Sequence, residues 1–407
     1  MFTMTRSSVL AAFTAVAAVA LAADTLEGTA RAHDASCAVP AAQLLSFGGA
    51  AVASPRIVPV TFSSDPLGAS VQDFLPKLAR DHGIASVLSE YGVGGMEVAP
   101  PIRLDEAPPA QITNTQVAAF IAGKIQSGAF PPADARSVYV LVYPDGTEVD
   151  REFFFGTFSA CDIGDAFHDV ASLPSGASVP IVVSPRCAGP FLGSSGLDRV
   201  TLALSAEVAD AVTDPFFDGY SGTDFNGSAF SSLTNASEIA DLCLSLPGPS
   251  LRPASIGYTV SRLWSNSAAK AGREPCLPAA APDRYFNAYP AKIDGTRAVP
   301  FFDTQGISLA PGGEITIPVR LFGNERGPRS WQLSAASLTS PFGGPSDPFG
   351  QLTFSFDRTM GGDGDVRYLT ISRTASPPPD AANFFLGFAI QSTSGSETHV
   401  WPVIVGD

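Results

Sequence analysis

A chain of 407 residues, 45% hydrophobic and 15% charged, has enough apolar side chains for two or three domains with their own cores. Its formal net charge of −15, with no cluster of Lys and Arg, argues against nucleic acid as a partner, because such binding needs a basic stripe. The 38 Gly and 35 Pro are dispersed among short apolar runs, which favours a strand- and turn-rich fold over a helical bundle.

Residues 7–22 follow Arg6, carry no charge and are rich in Ala, as a secretory h-region is. Ala20-Leu21-Ala22 offers a cleavage signal, with Ala30-Arg31-Ala32 as a second candidate. Residues 1–22 are therefore expected to be a signal peptide, and the mature protein to be secreted, periplasmic or extracellular. No later apolar run approaches the roughly 20 residues that cross a bilayer, so no membrane span is expected. Cys37, Cys161, Cys187, Cys243 and Cys276 show no C-x-x-C spacing, and in an exported chain disulfides are the plain expectation. Cys161 with Cys187 and Cys243 with Cys276 each bracket one compact stretch, so these pairs are expected, with Cys37 left over.

Residues 23–55 read as a loosely ordered lead-in. Arg56–Phe62 has the texture of a strand, and Pro59 within it argues for an edge or a bulge. Asp65 is the expected N-cap of a helix with Pro66 at its first position, and Val71, Phe74, Leu75 and Leu78 recur at helical spacing. Thr113 caps a second helix through Val117, Phe120, Ile121 and Ile125. The nearly wholly apolar Ser137–Tyr143 reads as a central strand, Phe153–Ala160 and Val179–Ser184 as two more. A helix over Asp198–Thr213 follows, with Val200, Leu204, Val208, Ala211 and Val212 on its buried side. After Pro278 the texture changes: residues 279–300 read as a linker. Residues 301–407 carry short alternating runs such as Ile315/Ile317/Val319 and Leu352/Phe354/Phe356, the pattern of an immunoglobulin-like β-sandwich.

Glu207, Asp210 and Asp214 stand at i, i+3 and i+7, so one helical stripe carries three carboxylates. Two readings stay open. One is a solvated polar face. The other is an oxygen-rich cation site completed by Glu238 and Asp241, in which hard ligands suit Ca²⁺ or Mg²⁺ better than Zn²⁺. Among the histidines, His168 is either a distant ligand of that site or a solvated loop residue. Motifs for a serine hydrolase elbow, a P-loop, a dinucleotide fold and an EF-hand are missing. Asn226 and Asn235 match glycosylation sequons.

The stretch Leu204-Ser205-Ala206-Glu207-Val208-Ala209-Asp210-Ala211-Val212-Thr213-Asp214-Pro215, taken with Ser237-Glu238-Ile239-Ala240-Asp241-Leu242-Cys243, resembles the active-site helix of a zincin metallopeptidase whose ligands have been replaced. In that class a His-Glu-x-x-His turn puts two imidazoles and a general-base Glu on one face. The order strand, helix, helix, strand, hairpin-like edge, strand, acidic helix is also similar to the N-terminal half of a zincin catalytic domain. The resemblance implies an α/β (α+β) zincin-like domain over residues 56–278, followed by the all-β sandwich. It puts Glu207 at the general-base position and Glu238 at a third-ligand position. Ala206 and Asp210 fall where the two histidines would stand.

The leading expectation is a secreted, non-catalytic zincin-like protein with a binding or cell-surface structural role, its partner an extracellular protein or glycan. One alternative is a metal-dependent hydrolase with Glu207 as its base and a divalent cation, Ca or Zn, held by Asp210, Asp214, Glu238, Asp241 and His168. Another is an adhesion or carbohydrate-binding protein using Trp264, Trp331 or Trp401.

Overall fold

The computed structural model describes residues 41–154, 156–223, 238–244, 246–279, 284–291, 293, 296–299, 302–337, 350–375 and 386–406. The signal peptide, its cleavage candidates, Cys37, Asn226 and Asn235 lie outside them.

Ser137–Val142 is buried along its whole length because it is central: Arg56–Phe62 pairs with it on one side and Ser178–Ser184 on the other, both parallel. Phe167–Ser172 closes that side as an antiparallel edge strand. Successive residues point to opposite faces, and both faces are covered. Val138, Val140 and Val142 join Ile57 and Val182 under the helices Gly68–Arg80, His82–Ser89 and Gly196–Thr213. Tyr139, Leu141 and Tyr143 pack the other way, with Val60 and Val183, against Val117 and Ile121 of the Asn114–Gln126 helix. That helix starts where its sequence says it should: the Thr113 hydroxyl accepts from Gln116 N–H, and the Gln116 side chain accepts from Thr113 N–H.

Pro59 sits at a discontinuity. Glu97–Val98 pairs with Arg56–Ile57 and Ile102–Leu104 with Val60–Phe62, so the outer partner changes across residues 58 and 59. Arg56 N–H donates inward to Arg136, while Ile57 O accepts outward from Ala99. The odd-numbered residues therefore face the edge, and the N–H that proline lacks would have pointed into the break.

Three expectations need correction. Asp65 is not the N-cap: the helix begins at Gly68, and the Asp65 carboxylate accepts from Leu67 N–H while pairing with Arg186 at 3.0 and 2.7 Å. An ion pair to a distant strand end outweighs a local cap here. The described part of the 23–55 lead-in is not loose. Ala42, Leu44 and Val52 are buried, Leu44–Ser46 pairs antiparallel with Tyr220–Thr223, and the Asn266 side chain bonds both Leu44 N–H and Leu44 O. The run expected as one strand over Phe153–Ala160 is the end of a hairpin, Glu148–Phe153 against Gly156–Ser159.

The second half is a two-sheet sandwich. One sheet has four strands, led by Phe286–Pro290, which pairs with Glu314–Gly323. The other has six and includes Trp331–Ser337, Leu386–Ser394 and Glu397–Gly406. Phe354 and Phe388 meet across the layers at 4.9 Å between ring centroids. The sandwich thus begins inside the expected 279–300 linker, because Phe286, Ala288 and Tyr289 have apolar partners to cover. Trp264, Trp331 and Trp401 are all buried, so none presents a ring face to a glycan.

One apolar cluster runs through both halves. Trp264 and Cys276 belong to the same hydrophobic cluster as Tyr285, Trp331 and Trp401. Two disulfides, Cys161–Cys187 and Cys243–Cys276, join the expected pairs and indicate an oxidising compartment. No helix among the described residues is long and apolar enough to cross a membrane.

Cys243 and Cys276 are 33 residues apart, a loop whose closure restricts the unfolded chain by about 3–4 kcal/mol. The double substitution Cys243→Ser/Cys276→Ser should lower the calorimetric midpoint by several degrees. Because the apolar cluster is shared, the whole endotherm should move. A sandwich transition that stays in place while an earlier one separates from it would show that the halves unfold independently.

Candidate functional site

The Gly196–Thr213 helix is buried on almost all sides, against the sheet and against the Val260–Ser261 strand. Ser205 Oγ accepts from Ser261 N–H at 2.7 Å, which fixes the helix's rotation. The acidic stripe is therefore carried inward. Asp210 and Asp214 are both 0% exposed, which rules out the solvated-face reading.

Each carboxylate has one fixed donor. Asp210 Oδ1 accepts from Ala240 N–H at 2.9 Å, and Asp214 Oδ1 accepts from Gly219 N–H at 2.6 Å. Gly219 has to be glycine for a reason of space: a Cβ there would stand 2.5 Å from Thr213 O. Asp210 Oδ2 and Asp214 Oδ2 are buried with no hydrogen-bond partner among the described residues. Burial, followed by the charges of Asp241 and Glu207, holds the Asp210 pKa well above the usual carboxylate range, against the smaller pull of Ala240 N–H.

His168 comes from the Phe167–Ser172 edge strand, where it pairs across from Val182. Its Nδ1 lies 3.4 Å from Glu207 Oε2 and its Nε2 3.6 Å from Glu238 Oε1. Burial alone would push the imidazole down. Glu238 and Glu207, with Asp214 behind them, overcome that and raise its pKa to about 9. Glu238 is itself pushed up, first by burial and against the opposing pull of His168. The result is one imidazole between two glutamates, beside a buried Asp210 whose pKa is also raised. Asp241, at the start of the short Asp241–Leu244 helix, contributes through its charge on Asp210.

The Phe217 ring covers the imidazole at 4.7 Å between centroids and 24° between planes. Phe217 holds φ at 61°, a left-handed conformation that costs a bulky residue about 1–3 kcal/mol. It is nevertheless 53% exposed. Around it stand other exposed apolar side chains: Phe216 on the same loop, and Leu45 and Phe47 on the neighbouring ribbon. Phe47 N–H donates to Gly219 O, and its ring lies so close to Gly222 that a Cβ there would be 2.7 Å away. Of these side chains Phe217 is the one that contacts the cluster.

The six expected site residues do gather, but not as a zinc site. Ala206 offers only a methyl group packed in the core, and Asp210 Oδ1 accepts from Ala240 N–H. Among the described residues no three His, Cys, Asp and Glu side chains are grouped as a metal ion needs. The donor set does not fit the metal that the zincin resemblance implies. What it can do is hold protons, with Glu207 the carboxylate nearest to solvent. Phe217 was not singled out from the sequence. The visible signal was an aromatic pair directly after Asp214-Pro215 at the helix end, where a loop should expose it.

No family model matches the chain, and no curated protein matches it. Among solved structures it is similar to domains 1–6 of the surface layer protein SbsC, at 17% identity and a TM-score of 0.19, over 30% of this chain and 13% of that one. A second likeness is to domains 4 and 5 of the S-layer protein SbsC, at 20% identity and a TM-score of 0.17, over 30% of this chain and 54% of that one. A third is to a family 123 glycoside hydrolase from Clostridium perfringens, at 8% identity and a TM-score of 0.15, over 24% of this chain and 21% of that one. At TM-scores this low none of these likenesses carries an argument about fold or role.

The cluster makes stability depend on pH with a definite sign. An imidazole raised from 6.5 to about 9 stabilises the fold fully below pH 6.5 and loses that contribution as pH rises through 9. The upper limit is about 3 kcal/mol. The raised pKa of Asp210 acts in the same direction. Denaturant unfolding at pH 6, 7.5 and 9 should show wild-type stability falling, with a clearly smaller fall for His168→Gln. Equal slopes for the two proteins would remove His168 as the source.

Proposed function

We propose that the chain is an exported binding or surface-structural protein with a zincin-like α/β domain. Its metal-ligand positions have become a proton-holding cluster, and an immunoglobulin-like sandwich is fused behind it. One observation carries the reading: the imidazole of the site is clamped between Glu207 and Glu238, while Ala206 and Asp210 are committed to the core and to Ala240 N–H. Such an arrangement spends on internal charge balance the groups a peptidase would direct at a metal-bound water.

The zincin likeness is supported by the chain order. Arg56–Phe62, two helices, the Asn114–Gln126 helix, the central Ser137–Val142 strand, the Glu148–Ser159 hairpin, Ser178–Ser184 and the acidic helix follow in the expected order, with further short strands between them and the hairpin in a sheet of its own. A binding role is supported by the exposed rim of Leu45, Phe47, Phe216 and Phe217, which no element among the described residues covers. The paired disulfides support an extracytoplasmic site of action.

Elemental analysis of the purified full chain should find less than about a tenth of an equivalent of any transition metal. A chelator should leave its thermal midpoint unchanged, since nothing that binds the native state is removed. Casein should stay intact on prolonged incubation. Chelator-sensitive cleavage that Glu207→Gln abolishes would overturn the non-catalytic reading and restore the metallohydrolase.

A further inference from the structure

The acidic helix ends on a peptide bond with a chemistry of its own. Asp214 caps the helix at φ −136° and ψ 60°, and Pro215 follows. An aspartate carboxylate, one methylene from the backbone, can close a five-membered ring on its own carbonyl carbon. A proline nitrogen carries no hydrogen, so the competing imide ring cannot form there, and it departs as a secondary amine.

The fold sets this carboxylate apart. Asp214 is buried, Gly219 N–H holds its Oδ1 at 2.6 Å, and its Oδ2 has no hydrogen-bond partner among the described residues. An oxygen stripped of water and held in place attacks more readily than a hydrated, freely turning one. Gly219 folds back so tightly that a Cβ there would stand 3.0 Å from Asp214 Cα, and Pro215 is buried too. Beyond it the left-handed Phe217 keeps the loop under strain. Asp65–Pro66 is the internal comparison. Arg186 takes both Asp65 oxygens, at 3.0 and 2.7 Å, and Leu67 N–H adds a third bond at 2.9 Å. The dipeptide is the same, but its nucleophile is occupied.

We propose that the chain cuts itself between Asp214 and Pro215. Asp214 Oδ2 attacks the Asp214 carbonyl carbon, a C–O bond forms, and the C–N bond to Pro215 breaks. The electron pair of that bond stays on nitrogen, which takes a proton from water and becomes the amino terminus of Pro215. The hydroxide left behind opens the cyclic anhydride to a C-terminal Asp214 with two carboxyl groups. One water is consumed, and the reaction does not depend on the zincin likeness.

Neither disulfide spans the cut, since Cys161–Cys187 lies before it and Cys243–Cys276 after it. The pieces stay together through the pairing of Leu44–Ser46 with Tyr220–Thr223 and through the shared apolar core. The change is local: a new end at Pro215 frees the loop that lays Phe217 on the His168 ring, and the cluster beneath opens to solvent.

The purified full chain, kept near neutral pH for several days, should give two fragments of nearly equal length on a denaturing, non-reducing gel. Mass spectrometry should find one ending at Asp214 and the other beginning at Pro215. The rate should be independent of protein concentration and of chelator, and chain held in denaturant should stay whole. Hydroxylamine should capture the anhydride as a hydroxamate at Asp214, a readout that needs only the wild-type protein. Asp214→Asn keeps the shape but weakens the nucleophile, and Pro215→Ala keeps the nucleophile but worsens the leaving group. Each should slow the cut at least about tenfold with the circular dichroism unchanged. An intact chain, an equal cut at Asp65–Pro66, a cut stopped by chelator, a cut without hydroxamate, or one undiminished in both variants would each overturn the proposal.

Discussion

Two carboxylates, Asp210 on the Gly196–Thr213 helix and Asp214 at its C-terminal cap, are brought into a core that cannot solvate them, and much of the N-terminal half is arranged around that cost. The helix goes in because its apolar residues cover so much of its circumference. Asp210 and Asp214 then lie at a helix C-terminus, where the partial negative charge of the backbone already opposes them. Backbone N–H groups from two later segments, at Gly219 and Ala240, answer this, and so does a cation placed by the edge strand. Each requires a further feature: a glycine at 219 for lack of space, a left-handed Phe217 to turn the loop, and a disulfide at Cys243 to hold the Glu238–Leu244 segment in place.

The joint between domains solves a related problem with other parts. Arg262 is buried at the end of the α/β domain and donates to the carbonyls of Gly248 and Pro278 as well as pairing with Glu274. It thereby stitches the turn that leads into the sandwich. The apolar cluster running through Trp264, Tyr285 and Trp401 supplies most of the attraction there, and the charged line along its margin sets the geometry. In both places a histidine stands between two glutamates. They differ in depth: His168 is sealed by Phe217 and the sheet, while His399 sits beside a small cavity at the margin of the interface.

Where the sequence reading succeeded, the determining interaction was local or periodic. The Thr113 and Gln116 reciprocal cap lies within one helical turn. The all-apolar Ser137–Val142 strand could only be central, and the disulfide pairs bracketed compact stretches. Where it failed, a distant partner intervened. Asp65 abandoned a cap for Arg186, residues 42–52 were ordered by Asn266 and the Tyr220–Thr223 strand, and Phe286–Pro290 left the linker for a sheet. The three tryptophans offered for glycan contact are buried by neighbours contributed from far along the chain.

The sequence alone determined that a three-carboxylate helix exists, that Ala206 cannot ligate a metal, and that strands dominate after Pro278, because side-chain chemistry and periodicity need no knowledge of neighbours. Only the tertiary structure decided that the stripe points inward, that His168 reaches it from an edge strand, and that His399 stands between Glu274 and Glu397. Those outcomes depend on burial and on charges brought together across tens of residues. Nothing in the local pattern of a solvated acidic helix distinguishes it from one whose carboxylates the fold buries.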